Sequence, residues 1–213
     1  MPHSLCIKEA GCEKGILASD SSGVESDRYE TVVRPNKRKR RIFEKVKMLF
    51  YLKYHIVAIL DYLIILKVSV TSYRAANCTT LRRMLKSLSS FPGSVFEADR
   101  GFDAEYIFKK VYSLMMFPNI KQKKKGKGRG RRLRYRSNAS KSFDFELYRW
   151  RGVIEAIFGA EESKDHRLRT RFRKDENRER WGTIIAIGWD LKVLNRLRCT
   201  KKLEMEVKSV IRN

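Results

Sequence analysis

Three carboxylates stand where chemistry on a phosphate would need them. Asp20 closes the apolar run GILAS, Asp99 closes SVFEA, and Glu155 lies inside YRWRGVIEAIFG. In an open sheet, ligands gather beyond the strand ends. Neighbouring parallel strands ending at Asp20 and Asp99 would bring two acids together, and a helix laid across that end would add Glu155. Acids crowded in this way repel one another unless a cation neutralises them. Hard cations such as Mg²⁺ take oxygen ligands. A pair of them about 3.5–4 Å apart can activate an attacking oxygen on one side of a phosphate and stabilise the leaving oxygen on the other. Each acid also has a plainer role. Asp20 before Ser-Ser-Gly suits an Asx turn, and Asp99 suits a turn beside Arg100-Gly101, with Glu97 on the same strand face as a substitute ligand. Glu155, four residues after Arg151, suits an exposed helix pair.

Tyr148, Arg151 and Glu155 are spaced three and four apart and so share one helix face. The face is either an ordinary amphipathic surface or one that sets Tyr148 and Arg151 against a phosphate backbone, where the planar fork of arginine meets two oxygens at once. A second candidate contact is the low-complexity run 121–140, KQKKKGKGRGRRLRYRSNAS. Lys123, Lys124, Lys125, Lys127, Arg129, Arg131, Arg132 and Arg134 could follow a nucleic-acid backbone there without reading bases. The run has little to bury and much to repel, so it reads as a flexible basic loop, either DNA-binding or merely solvated. Residues 35–41, PNKRKRR, are a weaker candidate.

The whole chain has 213 residues and a formal charge of +24, with 42% hydrophobic and 11% aromatic residues. That is enough apolar material for a core and excludes wholesale disorder. The charge exceeds what solubility needs and argues for a polyanionic partner. It is uneven: residues 1–31 are net acidic, so the excess lies downstream. The apolar run 50–70 carries Lys53, His55, Asp61 and Lys67. Those charges argue against a membrane span, and its β-branched residues favour two strands meeting near Asp61-Tyr62. The start of the chain does not read as a signal peptide. Four scattered cysteines, Cys6, Cys12, Cys78 and Cys199, read as reduced thiols, with a zinc site from His3, Cys6 and Cys12 as the alternative.

The elements that must position these residues follow from pattern. Strands are predicted over 15–20, 29–33 and 94–99, and an edge strand over 115–120 because of Pro118. Helices are predicted over 77–88, 104–114 with Asp103 as cap, and 142–160. A long last helix begins at Asp175 or Asn177 and runs through Leu197, with a tail over 199–213. Antiparallel strands followed by helix–strand alternation give an α/β fold, a mixed sheet flanked by helices, in a single domain over 1–213.

Taken in order, ASDSSG, LKYHIVAILD, KVSVTSYRAANC, EADRGFDAEY and YRWRGVIEAIFG resemble the DDE transposases of bacterial and archaeal insertion sequences. The last matches that family's Tyr-x2-Arg-x3-Glu-x6-Lys signature at Tyr148, Arg151 and Glu155. The resemblance implies an RNase H-like core in which Asp20, Asp99 and Glu155 hold two Mg²⁺ or Mn²⁺ ions. It implies cleavage and transfer of DNA strands at the element's ends, with Tyr148 and Arg151 assisting near the DNA, a homodimer in a synaptic complex, and a cytoplasmic, nucleoid-associated protein. The signature's lysine falls on Glu162, and Lys164 is the nearest substitute. Nothing in residues 1–19 reads as the helical end-binding segment that usually precedes the first acid, so a truncated copy or half of a split frame is expected. The rival readings are a non-catalytic nucleic-acid-binding protein or transposase remnant, and a related nuclease or resolvase without strand transfer.

Overall fold

The computed structural model describes residues 2–11, 14–35, 43–88, 91–123, 134–162, 169–170, 172 and 174–211. Its centre is a mixed sheet. β1 (Ile16–Pro35), β2 (Phe43–Ile59) and β3 (Ile64–Ser72) form an antiparallel meander. β4 (Val95–Ala98) and β5 (Phe117–Ile120) then add in parallel beside β1, giving the order β3-β2-β1-β4-β5. A two-residue β6 (Arg169–Thr170) pairs with β1 farther along, at Glu25 and Ser26. Helices cover both faces, as in an RNase H-like α/β fold.

Alternation along the strands makes the two faces. Leu17, Val57, Ile59, Ile64, Phe96 and Ala98 point into one core. This core is closed by α1 (Pro2–Ala10), α2 (Asn77–Lys86), α3 (Glu105–Ser113) and the far half of α7 (Asp175–Ile211). Ala18, Val24, Tyr54, Ile56, Ala58 and Val70 point into the other, where Ile154, Ile157 and Phe158 of α6 (Ile154–Glu162) and Ala186 of α7 meet them. Two shorter helices, α4 (Arg134–Lys141) and α5 (Phe145–Arg149), lie beyond β5 in sequence.

α7 touches both cores because it runs along the β3 edge. There it supplies what an edge strand lacks. Asp190 Oδ1 accepts the Ile65 N–H at 2.9 Å, and Glu179 Oε1 accepts the Val70 N–H at 3.3 Å and the Ser69 hydroxyl at 2.8 Å. Trp189 Nε1 donates to Leu63 O at 2.6 Å, in the β2–β3 turn. The approach is close enough that a Cβ on Gly182 would come within 2.5 Å of Val70 Cγ2.

Several elements differ from the pattern-based expectation. The strand expected to stop at Asp20 continues to Pro35 and absorbs the segment 29–33, because β2 pairs with it over almost its whole length. The turn near Asp61 is confirmed, and Asp61 orders it: its Oδ2 accepts the Ile16 N–H at 2.8 Å. α3 is not capped by Asp103. Its N-cap is Ala104, and Asp103 binds Arg136 instead. The single helix expected over 142–160 is α5, a 3₁₀ segment Trp150–Val153 and α6. Asp144 fixes its start by accepting the N–H groups of Glu146 and Leu147, and the break falls where Gly152 weakens helix formation. The expected tail over 199–213 is helical through Ile211, and α1 was not anticipated. Part of the basic run folds as well, as α4. Residues 36–41 of the other basic stretch lie outside the described residues.

Candidate active site

β1 and β4 run parallel with Ser19 beside Ala98, so the next residues, Asp20 and Asp99, emerge side by side. By alternation both lie on the face that packs α6. Asp20 sits where β1 outlives its β4 neighbour, short of the point where β6 joins at Glu25. Asp99 is held by the turn that follows: its Oδ1 accepts the Gly101 N–H at 2.8 Å and caps the 3₁₀ turn Arg100–Phe102. Glycine is needed there, because a Cβ would come within 2.9 Å of that same oxygen.

The segment from α5 to α6 brings Arg151 to Asp20. Its Nη1 lies 2.7 Å from Asp20 Oδ2 and its Nη2 lies 3.2 Å from Glu155 Oε1. The Arg151 and Asp20 side chains are each 19% exposed, against 64% for Glu155. Burial pushes the Asp20 carboxyl above its ordinary range; the Ser21 N–H and Arg151 pull against this, and Asp99 adds to it. Burial disfavours the charge on Arg151, yet Asp20, Tyr148 and Glu155 outweigh it and hold the guanidinium proton more tightly than usual. The Tyr148 ring lies 5.9 Å from the Arg151 guanidinium carbon and 5.2 Å from Lys121 Nζ. Two cations within about 6 Å of one aromatic ring are each attracted by its quadrupole.

The structure therefore brings together Asp20, Asp99, Tyr148, Arg151 and Glu155, but in a different way from the expected convergence of three acids. Among the described residues no three His, Cys, Asp or Glu side chains form a group that could hold a metal ion. Glu155 is joined to Asp20 through Arg151. In chemistry the donors still fit a hard divalent cation, being anionic oxygens on neighbouring parallel strands, Asp20 within β1 and Asp99 just past β4. The guanidinium stands in for such a cation by neutralising Asp20 and Glu155 from between them. Glu97, the alternative ligand to Asp99, lies within β4. It is fully buried, with Oε1 accepting from Asn119 Nδ2 at 3.3 Å. Burial pushes its carboxyl up to about 7, against the pull of Asn119 and Arg151.

The basic run springs from beside this site. Arg136, 8% exposed, forms a two-pronged pair with Asp103, Nε–Oδ1 at 2.7 Å and Nη2–Oδ2 at 2.9 Å. Asp103 Oδ2 also accepts the Lys123 N–H, and Lys123 O accepts from Arg136 Nη2. Glu105 takes the Tyr135 and Arg136 N–H groups, both at 2.9 Å, at the start of α4. Burial works to raise the Asp103 carboxyl, but Arg136 and the Lys123 N–H hold it below the usual range. Lys123 and Arg134 are exposed on either side of this clasp. Lys124, Lys125, Lys127, Arg129, Arg131, Arg132 and Lys164 lie outside the described residues.

Sequence reasoning placed Gly101 in a turn beside Asp99, and it singled out neither Lys121 nor Asn119. Gly101 had a signal, a glycine two residues after an acid. Lys121 was hidden among other lysines. Asn119, which also exchanges two 2.9 Å hydrogen bonds with the Asp144 backbone and so ties β5 to the start of α5, had none.

A family model described as Transposase DDE domain matches residues 11–191. No curated protein matches. Among solved structures the chain is similar to the crystal structure of the Mos1 mariner paired end complex with Mn, at 11% identity and a TM-score of 0.36. That alignment covers 92% of this chain and 59% of the other, so the present chain spans under two thirds of its length.

Proposed function

This chain belongs to the Transposase DDE domain family, and from that premise we propose that it cuts DNA strands at transposon ends and transfers them to a target, with Asp20, Asp99 and Glu155 holding Mg²⁺ or Mn²⁺. The observation that carries the reading is the pair of carboxylates on neighbouring parallel strands, Asp20 within β1 and Asp99 just past β4, with Glu155 tied in through Arg151. When bound, a pair of such ions supplies activation of the attacking oxygen and stabilisation of the leaving one.

The chain's own residues do the rest. The β1 ladder fixes Asp20, the end of β4 fixes Asp99, and Gly101 sets the Asp99 oxygen. Tyr148, Arg151 and Lys121 line the approach and offer an aromatic face and cations to a phosphate backbone. Lys123 and Arg134, at the base of the basic run, hold flanking DNA by charge. A homodimer bringing two ends together is part of the proposal.

The test is Mg²⁺- or Mn²⁺-dependent nicking of duplex DNA by the full chain and by Asp20→Ala, Asp99→Ala and Glu155→Ala. The Asp20 and Asp99 variants are expected to lose activity by at least a thousandfold. Nicking that survives all three changes refutes the reading. Joining of a cut end to a second duplex separates transposition from simple nuclease activity. A non-catalytic DNA-binding protein is the second reading, favoured by the lack of a three-acid cluster among the described residues. It predicts DNA binding that is unchanged in all three variants and no nicking by any of them.

A further inference from the structure

We infer that Arg151 is a built-in counter-ion that must leave Asp20 before these acids accept a divalent cation, and that a DNA phosphate is what draws it away, so that cation and DNA bind this domain cooperatively. The inference rests on the reading that the acids hold such a cation.

The geometry sets up a conflict. Arg151 has the residue type and position to meet a phosphate, yet each of its terminal nitrogens already faces a carboxylate, at 2.7 Å for Asp20 and 3.2 Å for Glu155. The side chain is only 19% exposed, so little of it faces the solvent from which DNA would approach. A guanidinium so placed uses the Asp20 oxygen that a hard cation needs, and its positive charge repels one. A phosphate is an equally good two-pronged partner for arginine. A short rotation of a long side chain can therefore exchange Asp20 for phosphate. The neighbours favour the exchange: the Tyr148 ring flanks the guanidinium, and Lys121 lies on the same ring. Once Arg151 has moved, Asp20 is left with Asp99 as its charged neighbour, and two adjacent carboxylates need a new cation. Linkage makes the effect reciprocal: whatever factor DNA adds to cation affinity, the cation adds to DNA affinity. Arg151 is in this sense a positioning residue for the cation as well as a DNA contact.

Mn²⁺ binding to the full chain, followed by electron paramagnetic resonance with and without a short duplex and corrected for Mn²⁺ held by the duplex alone, tests this. For the unaltered protein, Mn²⁺ affinity is expected to rise about tenfold on adding DNA, within the usual range of site-to-site coupling. Arg151→Gln removes the charge and is expected to bind Mn²⁺ about tenfold more tightly without DNA, with little further gain from DNA. Arg151→Lys keeps the charge and is expected to stay near the unaltered protein without DNA. An Asp20→Asn, Asp99→Asn double variant is expected to abolish the uptake. If uptake depends on the two aspartates but Arg151→Gln binds no more tightly, or Arg151→Lys behaves like Arg151→Gln, the counter-ion role is overturned and the cation site stands. If no uptake depends on the aspartates, both fall.

Discussion

Gly101 shows how narrowly the site is set at the level of single residues. Its N–H holds Asp99 Oδ1 at 2.8 Å, and the space a methyl group would need belongs to that oxygen. Gly101→Ala is expected to swing the Asp99 carboxylate aside. The cost to folding is small, because the atom displaced is the end of a side chain. Nicking is expected to fall by at least tenfold while the melting temperature moves by no more than about 3 °C, the range of a sub-kilocalorie change in a domain of this size. Arg136 is the opposite case. Removing it leaves Asp103 buried and unpaired, which costs about 3–5 kcal/mol, so Arg136→Ala is expected to lower stability markedly in denaturant titration. The two acids of β1 and β4 could be read from the sequence because each ends an apolar run, and runs of that kind become neighbouring strands. The Asp103–Arg136 pair could not. It joins residues 33 apart, one in an apparent helix cap and the other in a run that looks unable to fold, and no local pattern links them. The bridging of Asp20 and Glu155 by Arg151 was half legible: the spacing shows the Glu155 pair, but contact with Asp20 depends on the 3₁₀ segment Trp150–Val153 and on how α6 seats on the sheet.

Among the elements, α7 bears most directly on stability. It packs on the sheet through Gly182, whose carbonyl also accepts the Tyr54 hydroxyl at 3.4 Å. Gly182→Ala gains helix propensity but forces a methyl group against Val70. Overpacking of this kind costs about 1–3 kcal/mol, and thermal melting is expected to show a net loss. The apolar stripe from Trp181 to Leu197 made the first part of this helix readable. Its continuation to Ile211 and the whole of α1 were not, because neither has a strong apolar periodicity. α1 is held by contacts from α7: Cys6 is buried and donates to Asp190 O at 3.2 Å, and Glu9 pairs with Arg198 and Lys201. Tertiary packing decides such helices more than their own composition does.

For the molecule as a whole, buried ionisable groups set opposing pH dependences, Asp190 and Glu97 on one side and His55 on the other. Burial pushes Asp190 up to about 7, with the Ile65 N–H pulling the other way. The folded protein therefore holds a proton that the unfolded chain has released, and stability falls as pH rises from about 4 to 7. His55, buried beside Thr71, is lowered to about 4 by burial and by the charges of Lys53 and Arg83. The unfolded chain then binds the extra proton, and stability rises over about pH 4 to 6.5. Glu97, also pushed up to about 7, acts in the same direction as Asp190, so His55 offsets only part of the carboxylate contribution. Asp190→Asn keeps an acceptor for Ile65 and removes the titration. It is expected to be more stable than the unaltered protein at pH 8 and to show a flatter pH dependence between pH 4 and 8, because Glu97 still offsets His55, as read by urea unfolding at several pH values. Net charge acts at the same scale. Among the described residues no helix is long and apolar enough to cross a membrane, and the charge of +24 is consistent with a polyanion as partner. Replacing residues 124–133 with a neutral Gly-Ser sequence of equal length is expected to weaken DNA binding and flatten its salt dependence, with a loss of about 0.9 in log–log slope for each phosphate contact removed.

The Asp103–Arg136 clasp has a consequence for how such a protein can change over time. It seals the two ends of the polycationic stretch against the body of the fold, with Lys123 on one side and Tyr135 and Arg136 on the other. The clasp itself is built from residues outside 124–133, so a change of charge or length there removes none of its hydrogen bonds. On the proposed reading, grip on nucleic acid can thus drift or be re-engineered while the candidate acids keep their places.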